Sequence, residues 1–257
     1  MTETQFIKLP GQVVLITGGS RGIGAAAARL FAKAGADVAI AYHQARSAAE
    51  GVARDVRSLG RRAMILMGDA ADPDLAPQQV AEIVAEWGRI DCLVNNAGIW
   101  TYSETGNTPV RVWDELLAVN LRGMFNYCNA VVPVMRSRKS GNIVNVSSTA
   151  SQRGEAFHSH YAASKGGMNA YTKSLSTELA PDNIRVNAVA PGWVDTDLNE
   201  RVFADAREKE RIRQGIPLGR IARAEDIAGP ILFLASDLAR HITGAVLSVN
   251  GGAVLAG

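Results

Sequence analysis

Val13-Val14-Leu15-Ile16-Thr17-Gly18-Gly19-Ser20-Arg21-Gly22-Ile23-Gly24 carries three signals in one short run. Val13 to Ile16 is uninterrupted apolar sequence, as a strand buried on both faces requires. The glycines that follow let the backbone approach a pyrophosphate. Free N–H groups at the start of the alanine-rich helix from Gly22 to about Ala34 can bind its charge. Gly18, Ser20, Arg21, Gly22, Ile23 and Gly24 are therefore candidate cofactor contacts. The spacing is G-x-x-x-G-x-G, not G-x-G-x-x-G. A tight turn without a ligand is the competing reading, which the strand-turn-helix context weakens.

Downstream, the same alternation repeats. Strands are expected at Asp37–Tyr42, Ala63–Met67, Cys92–Val94, Asn142–Val146, Ile184–Ala190 and Ala245–Val249. Helices are expected between them, at Arg46–Leu59, Pro73–Trp87, about Pro109–Met135, Ser159–Leu179, Glu200–Arg213 and Ala224–Ala235. Seven strands separated by helices predict an α/β fold, a doubly wound seven-stranded parallel sheet (Rossmann fold). No linker, repeat or composition break divides the 257 residues, so a single domain is expected.

Composition narrows the function. Lys+Arg total 27 against 25 Asp+Glu, a net +2 too weak and too dispersed to nominate nucleic acid or an anionic membrane as partner. Cys92 and Cys128 form no CxxC pair and no metal-ligand cluster, and they read as buried thiols. The N-terminus carries Glu3 and lacks a long apolar core, and the uncharged run 227–236 is about half of a bilayer span. A cytoplasmic protein with no membrane contact is the expectation.

The end of the second strand bears on the cofactor. NAD-binding folds of this type place an acid there to bond the ribose 2′-OH. Here Tyr42-His43-Gln44 stands in that place, and the next acid is Glu50. A 2′-phosphate is not repelled, and Arg21 and Arg46 can pair with it. NADP(H) is favoured over NAD(H); the bland alternative is that both arginines are solvated surface charges. Asp69, after the third strand, can accept from the adenine amine. Asn95, Ala97 and Gly98, in Asn95-Asn96-Ala97-Gly98, follow the fourth strand. Small residues and amides there suit close packing beside a cofactor, although Asn95 could equally be a structural amide tying strands together.

The chemistry lies further on. Ser147-Ser148 closes the fifth strand, and Tyr161 and Lys165 follow at helical i, i+4 spacing, which puts both on one face. A phenol has a pKa of about 10, and a nearby ammonium is expected to lower it into a useful acid/base range. Ser148 can donate a hydrogen bond to a carbonyl oxygen. Alone, Tyr-x-x-x-Lys is common by chance.

In combination, the chain resembles the short-chain dehydrogenase/reductase family from Val13 through Gly252. The family's T-G-x-x-x-G-x-G matches Thr17 to Gly24, N-N-A-G matches Asn95 to Gly98, and Y-x-x-x-K matches Tyr161 to Lys165, with Pro191-Gly192 after the sixth strand. The resemblance implies that Tyr161 is the acid/base, that Lys165 bonds the nicotinamide ribose and tunes Tyr161, and that Ser148 holds the carbonyl. It implies that Asn120 retains a water for a proton relay. It implies that Pro191, Gly192, Val194 and Thr196 lie at the nicotinamide amide, and that the C-terminal half, with the 192–215 loop, forms the substrate cleft. The implied reaction interconverts a ketone and a secondary alcohol with NADPH.

Among subgroups the chain is similar to bacterial 3-oxoacyl-acyl-carrier-protein reductases and NADPH carbonyl reductases, and sugar and other alcohol dehydrogenases using NAD(P) share the pattern. A catalytically silent nucleotide-binding protein and a sugar epimerase or dehydratase are the competing functions. The resemblance also implies a homotetramer with contacts at 109–135, 159–180 and 246–257. Other features are set lower. His158 and His160 read as loop residues near the cleft. Trp100 and Trp193 either line a substrate pocket or merely pack. Asp205 to Arg213 reads as a solvated helix face or part of a lid. Arg136, Arg138 and Lys139 do not make a carrier-protein dock.

Overall fold

Burial on both faces is what the apolar runs demanded, and the sheet supplies it. The computed structural model describes residues 7–255; the first six residues and the last two, which end the expected subunit-contact tail, lie outside them. Strands β1 (Val13–Thr17), β2 (Asp37–Tyr42), β3 (Ala63–Met67), β4 (Cys92–Asn95), β5 (Gly141–Val146), β6 (Ile184–Pro191) and β7 (Val246–Val249) form one seven-stranded sheet in the order β3-β2-β1-β4-β5-β6-β7. Every pairing is parallel. Each residue of β1, β2 and β4 is buried.

Helices α1 (Gly22–Lys33), α2 (Arg46–Ser58) and α10 (Ala224–Ala235) cover one face. The other is covered by α3 (Leu75–Trp87), α5 (Gly123–Arg138) and α7 (Ser159–Leu179). The alanines of α1 at 25–28 are buried, which lets that helix lie close to the sheet. Because the strand order reverses between β1 and β4, a crevice opens at their carboxyl ends, where open α/β sheets bind ligands.

Two expected helices are broken, each for a local reason. The helix expected at 109–135 runs as α4 (Val110–Leu117), a π turn at Ala118–Arg122, and α5 to Arg138. The wide turn brings buried Asn120 to the segment after β4, where its amide hydrogen-bonds the backbone of Ile99. The helix expected at 200–213 is α8 (Glu200–Phe203) and α9 (Ala206–Gln214). Asp205 between them caps α9, accepting from Arg207 N and Glu208 N. The helix expected from Pro73 begins at Leu75, and a single-turn helix, α6 (Ala150–Arg153), follows β5. Among the described residues no helix is long and apolar enough to cross a membrane.

Candidate active site

A cleft of ≈ 1170 Å³ lies at the carboxyl ends of the strands, with the glycine turn at one end and Tyr161 at the other. The turn is shaped by contact. Gly18 takes φ +63°, and a Cβ there would lie 2.9 Å from Ala97 Cα; a Cβ on Gly24 would meet the Gly18 carbonyl and, at 2.6 Å, the Asn96 amide. The glycines thus let the turn pack directly on the segment after β4, where a Cβ would collide with backbone and with the Asn96 amide. Arg21, at the N-cap of α1, gives no side-chain cap, so the first N–H groups of the helix have no side-chain partner. This bare helix start beside a glycine turn fits the pyrophosphate of a dinucleotide.

Most sequence-predicted residues come together here. Gly18, Ser20, Arg21, Gly22, Ile23, Tyr42, His43, Asp69, Ala97, Gly98, Pro191, Gly192, Val194 and Thr196 line the cleft with Ser148, Tyr161 and Lys165. Gly24, Arg46, Asn95 and Asn120 do not. Gly24 packs beneath the turn. Arg46, at the start of α2, is held by Glu50 at 2.9 Å. Arg21 faces Asp197 at 3.5 Å, and both side chains are exposed.

Asn95 lies outside the cleft lining and takes the structural one of its two expected roles. It is buried, and its Nδ2 donates to Asn145 Oδ1 at 2.9 Å and approaches Cys128 Sγ at 3.3 Å, tying β4 to β5. The next residue, Asn96, turns toward β1 instead: its Nδ2 donates to the carbonyls of Thr17 and Gly18. Thr17 Oγ1 in return accepts from Asn96 N and Ala97 N, each at 3.0 Å. Sequence reasoning missed Thr17 and Asn96 as the pair that fixes the glycine turn against the β4 loop. The signal was available, since consecutive residues at a strand end point to opposite sides.

The chemical end is dry. Lys165 is 4% exposed; its Nζ donates to the Val146 carbonyl at 2.8 Å and lies 5.8 Å from the centre of the Tyr161 ring. Burial pulls the ammonium down to about 8. Burial likewise pushes the Tyr161 phenol up to about 12, opposed by a hydrogen bond from Ser148 and assisted by the Glu155 carboxylate. The expected lowering of the phenol by Lys165 is thus corrected: desolvation dominates, and the ammonium is spent on a backbone carbonyl.

Asn120 is fully buried. Its side chain bonds Ile99 N and O at 2.8 and 2.9 Å and Ser164 Oγ at 3.3 Å. It braces the Gly98 segment that passes Lys165 Nζ, and its side chain does not meet the cleft.

Trp100 and Trp193 both line the cleft and pack on each other, edge to face at 6.1 Å. His158 is a loop residue on the cleft wall, as expected, whereas His160 belongs to a helix. His160 is buried in the first turn of α7 and bonds Thr101 Oγ1 at 2.9 Å. His158 is buried and stacks on Trp100 at 4.2 Å. The basic cluster is partly neutralised: Arg136 pairs with Glu178 and Asp182, and Lys139 with Asp182.

Comparison with known proteins shows the family. A family model described as enoyl-(acyl carrier protein) reductase matches residues 18–254. A 3-oxoacyl-[acyl-carrier-protein] reductase of Thermotoga maritima is 41% identical over 97% of this chain and 100% of its own. An L-rhamnose 1-dehydrogenase (NAD(P)(+)) of a Sphingomonas species is 40% identical over 95% of this chain and 96% of its own. Among solved structures, levodione reductase superposes with a TM-score of 0.91 at 31% identity, covering 95% of this chain and 98% of that one.

Proposed function

The chain belongs to the short-chain dehydrogenase/reductase family as an NAD(P)-dependent oxidoreductase acting on CH–OH groups, similar to 3-oxoacyl-acyl-carrier-protein reductases, and on that footing we propose that it reduces a ketone with NADPH, the reverse reaction oxidising a secondary alcohol. One observation carries the reading. The Tyr161 phenol lines the cleft beside Ser148 and is held protonated through neutral pH. A protonated phenol is the donor that a developing alkoxide needs. When bound, the reduced nicotinamide supplies the hydride that, with the Tyr161 proton, turns the ketone into the alcohol.

Each residue then has a role. Ser148 donates to the carbonyl oxygen and Tyr161 gives its proton to that same oxygen, so the developing charge meets two preorganised donors. Lys165 bonds the nicotinamide ribose, and Asn120 positions the Gly98 segment beside it. Gly18, Ser20, Arg21, Gly22 and Ile23 hold the pyrophosphate end, with Gly24 packed beneath. Tyr42, His43 and Asp69 hold the adenosine, and Ala97, Gly98, Pro191, Gly192, Val194 and Thr196 the nicotinamide. The C-terminal half, with its 192–215 segment, closes the substrate end.

NADPH is preferred because no carboxylate stands at Tyr42 to Gln44, while Arg21 and Arg46 stand nearby. Their present partners, Asp197 and Glu50, form exposed pairs that water and salt screen, and a phosphate dianion displaces them. Comparing kcat/KM for NADPH and NADH tests this: preference for NADPH by about tenfold or more is expected, a single good charge-assisted bond being that large, and preference for NADH refutes it. We further propose a cytoplasmic homotetramer assembled through α4, α5 and α7, where Trp113 and Phe125 are exposed; a monomer in sedimentation equilibrium refutes the assembly.

A further inference from the structure

We propose that the cleft takes a carbonyl or alcohol substrate bearing hydroxyl groups on a compact ring, and that Glu155 accepts a hydrogen bond from one of those hydroxyls. The inference rests on the oxidoreductase reading above and narrows it to a substrate class.

The wall around Tyr161 is an aromatic corner. Trp100 and Trp193 meet at 84°, Phe203 leans on Trp193 at 5.8 Å, and His158 backs Trp100 in a parallel stack. Flat apolar faces at right angles suit the C–H faces of a ring.

The polar groups attached to this corner both accept. Trp100 Nε1 donates to Glu155 Oε2 at 3.3 Å, and among the described residues no lysine, arginine or histidine lies within ion-pairing distance of that carboxylate. Arg153 and Arg201 line the same cleft but are exposed and do not pair with it. Glu155 is half-buried on the cleft wall, and its charge is felt at Tyr161.

His158 is 8% exposed. Its Nδ1 lies 2.9 Å from the Ala156 carbonyl, which can only accept, so Nδ1 carries the proton. Nε2 is then a lone pair, and it is buried without a partner.

A ring that displaces water from the corner leaves the Glu155 carboxylate with Trp100 Nε1 as its one donor, so the ring must supply another; the orphaned His158 nitrogen lies behind Trp100. A hydroxyl supplies one. A thioester, a second keto group, a carboxylate or a phosphate supplies none, and the last two are repelled by Glu155.

The test uses the full-length wild type, Glu155→Gln and Glu155→Asp. With both NAD⁺ and NADP⁺, kcat/KM is measured for a panel of reducing aldopyranoses, for tetrahydropyran-2-ol as the ring without further hydroxyls, and for an amino-substituted aldopyranose. Reduction of an acetoacetyl thioester is followed alongside. Binding of the aldopyranoses is read separately from quenching of tryptophan fluorescence.

The wild type is expected to favour an aldopyranose over tetrahydropyran-2-ol by about tenfold or more, one charge-assisted hydrogen bond in size. Glu155→Gln should erase most of that ratio and weaken aldopyranose binding, and Glu155→Asp should restore part of both. A wild-type ratio near one, a ratio unmoved by Glu155→Gln, preference for the amino-substituted ring, or turnover of the thioester with no ring alcohol would each overturn the proposal while leaving the oxidoreductase reading intact. Loss of turnover with every compound sinks that reading instead, and the fluorescence titration still decides whether Glu155 binds the ring.

Discussion

Replacing Lys165 with methionine should change how stability depends on pH, by an amount set by the burial of its ammonium. The side chain is almost wholly removed from water, and burial holds its pKa near 8 against an ordinary 10.5. Lysine lowered in the folded state binds its proton more tightly when unfolded. Between pH 8 and 10.5 the unfolded chain therefore carries more protons, and stability rises with pH. Below pH 8 the buried charge costs roughly 3 kcal/mol, at about 1.4 kcal/mol per pK unit. Most of that penalty, roughly 2.5 kcal/mol, is relieved by pH 10.

Methionine keeps the length and has no proton to lose. The lost hydrogen bond to the Val146 carbonyl enters as a nearly constant offset. Urea unfolding of both proteins, followed by circular dichroism at pH 7 and pH 10, gives the double difference in which other titrating groups cancel. Wild type should gain on Lys165→Met by roughly 2.5 kcal/mol between the two pH values. A difference that stays constant across that range refutes the desolvated ammonium, and with it desolvation as the cause of the high phenol pKa.

Tyr161→Phe should lower turnover by about 10²–10⁴-fold, the range for loss of a general acid, while cofactor affinity by fluorescence stays within about threefold of wild type, the pyrophosphate contacts being elsewhere; retained turnover removes Tyr161 from the mechanism. Gly24→Ala pushes a methyl into the Gly18 carbonyl and the Asn96 amide, and should cost about 1–3 kcal/mol and loosen dinucleotide binding, checked by thermal melts with and without NADPH. Asn95→Ala strips Asn145 of its buried partner and should cost about 1–3 kcal/mol in urea melts without moving the NADPH Kd; a shifted Kd would return Asn95 to the cofactor site. Arg21→Ala combined with Arg46→Ala should raise the Kd for NADPH by about tenfold or more and leave that for NADH within about twofold, the adenosine ribose lacking the phosphate they neutralise.

Much of the architecture was legible because its cause is local. A strand covered on both faces must be apolar throughout, and Val13 to Ile16 is; a backbone that must pass close to Ala97 needs glycine at Gly18. The i, i+4 spacing of Tyr161 and Lys165 likewise follows from helical geometry alone. The breaks in the helices at Asn120 and Asp205 were not legible, because each depends on where one amide or one carboxylate finds its partner. Asn95 and Asn96 are identical in type and adjacent, and only their opposite directions from β4 separate a strand tie from a brace of the glycine turn.

The order of apolar runs and glycine turns was enough to establish a doubly wound parallel sheet and to nominate the residues of one cleft, since period and turn chemistry act within a few residues. Tertiary contact alone decided the rest: that Lys165 spends its charge on the Val146 carbonyl, that burial raises the Tyr161 phenol, and that Glu155 meets Trp100 across 55 positions of chain without a cation. Dielectric surroundings and partner identity are properties of space, and residues distant along the chain supply them only after it has folded.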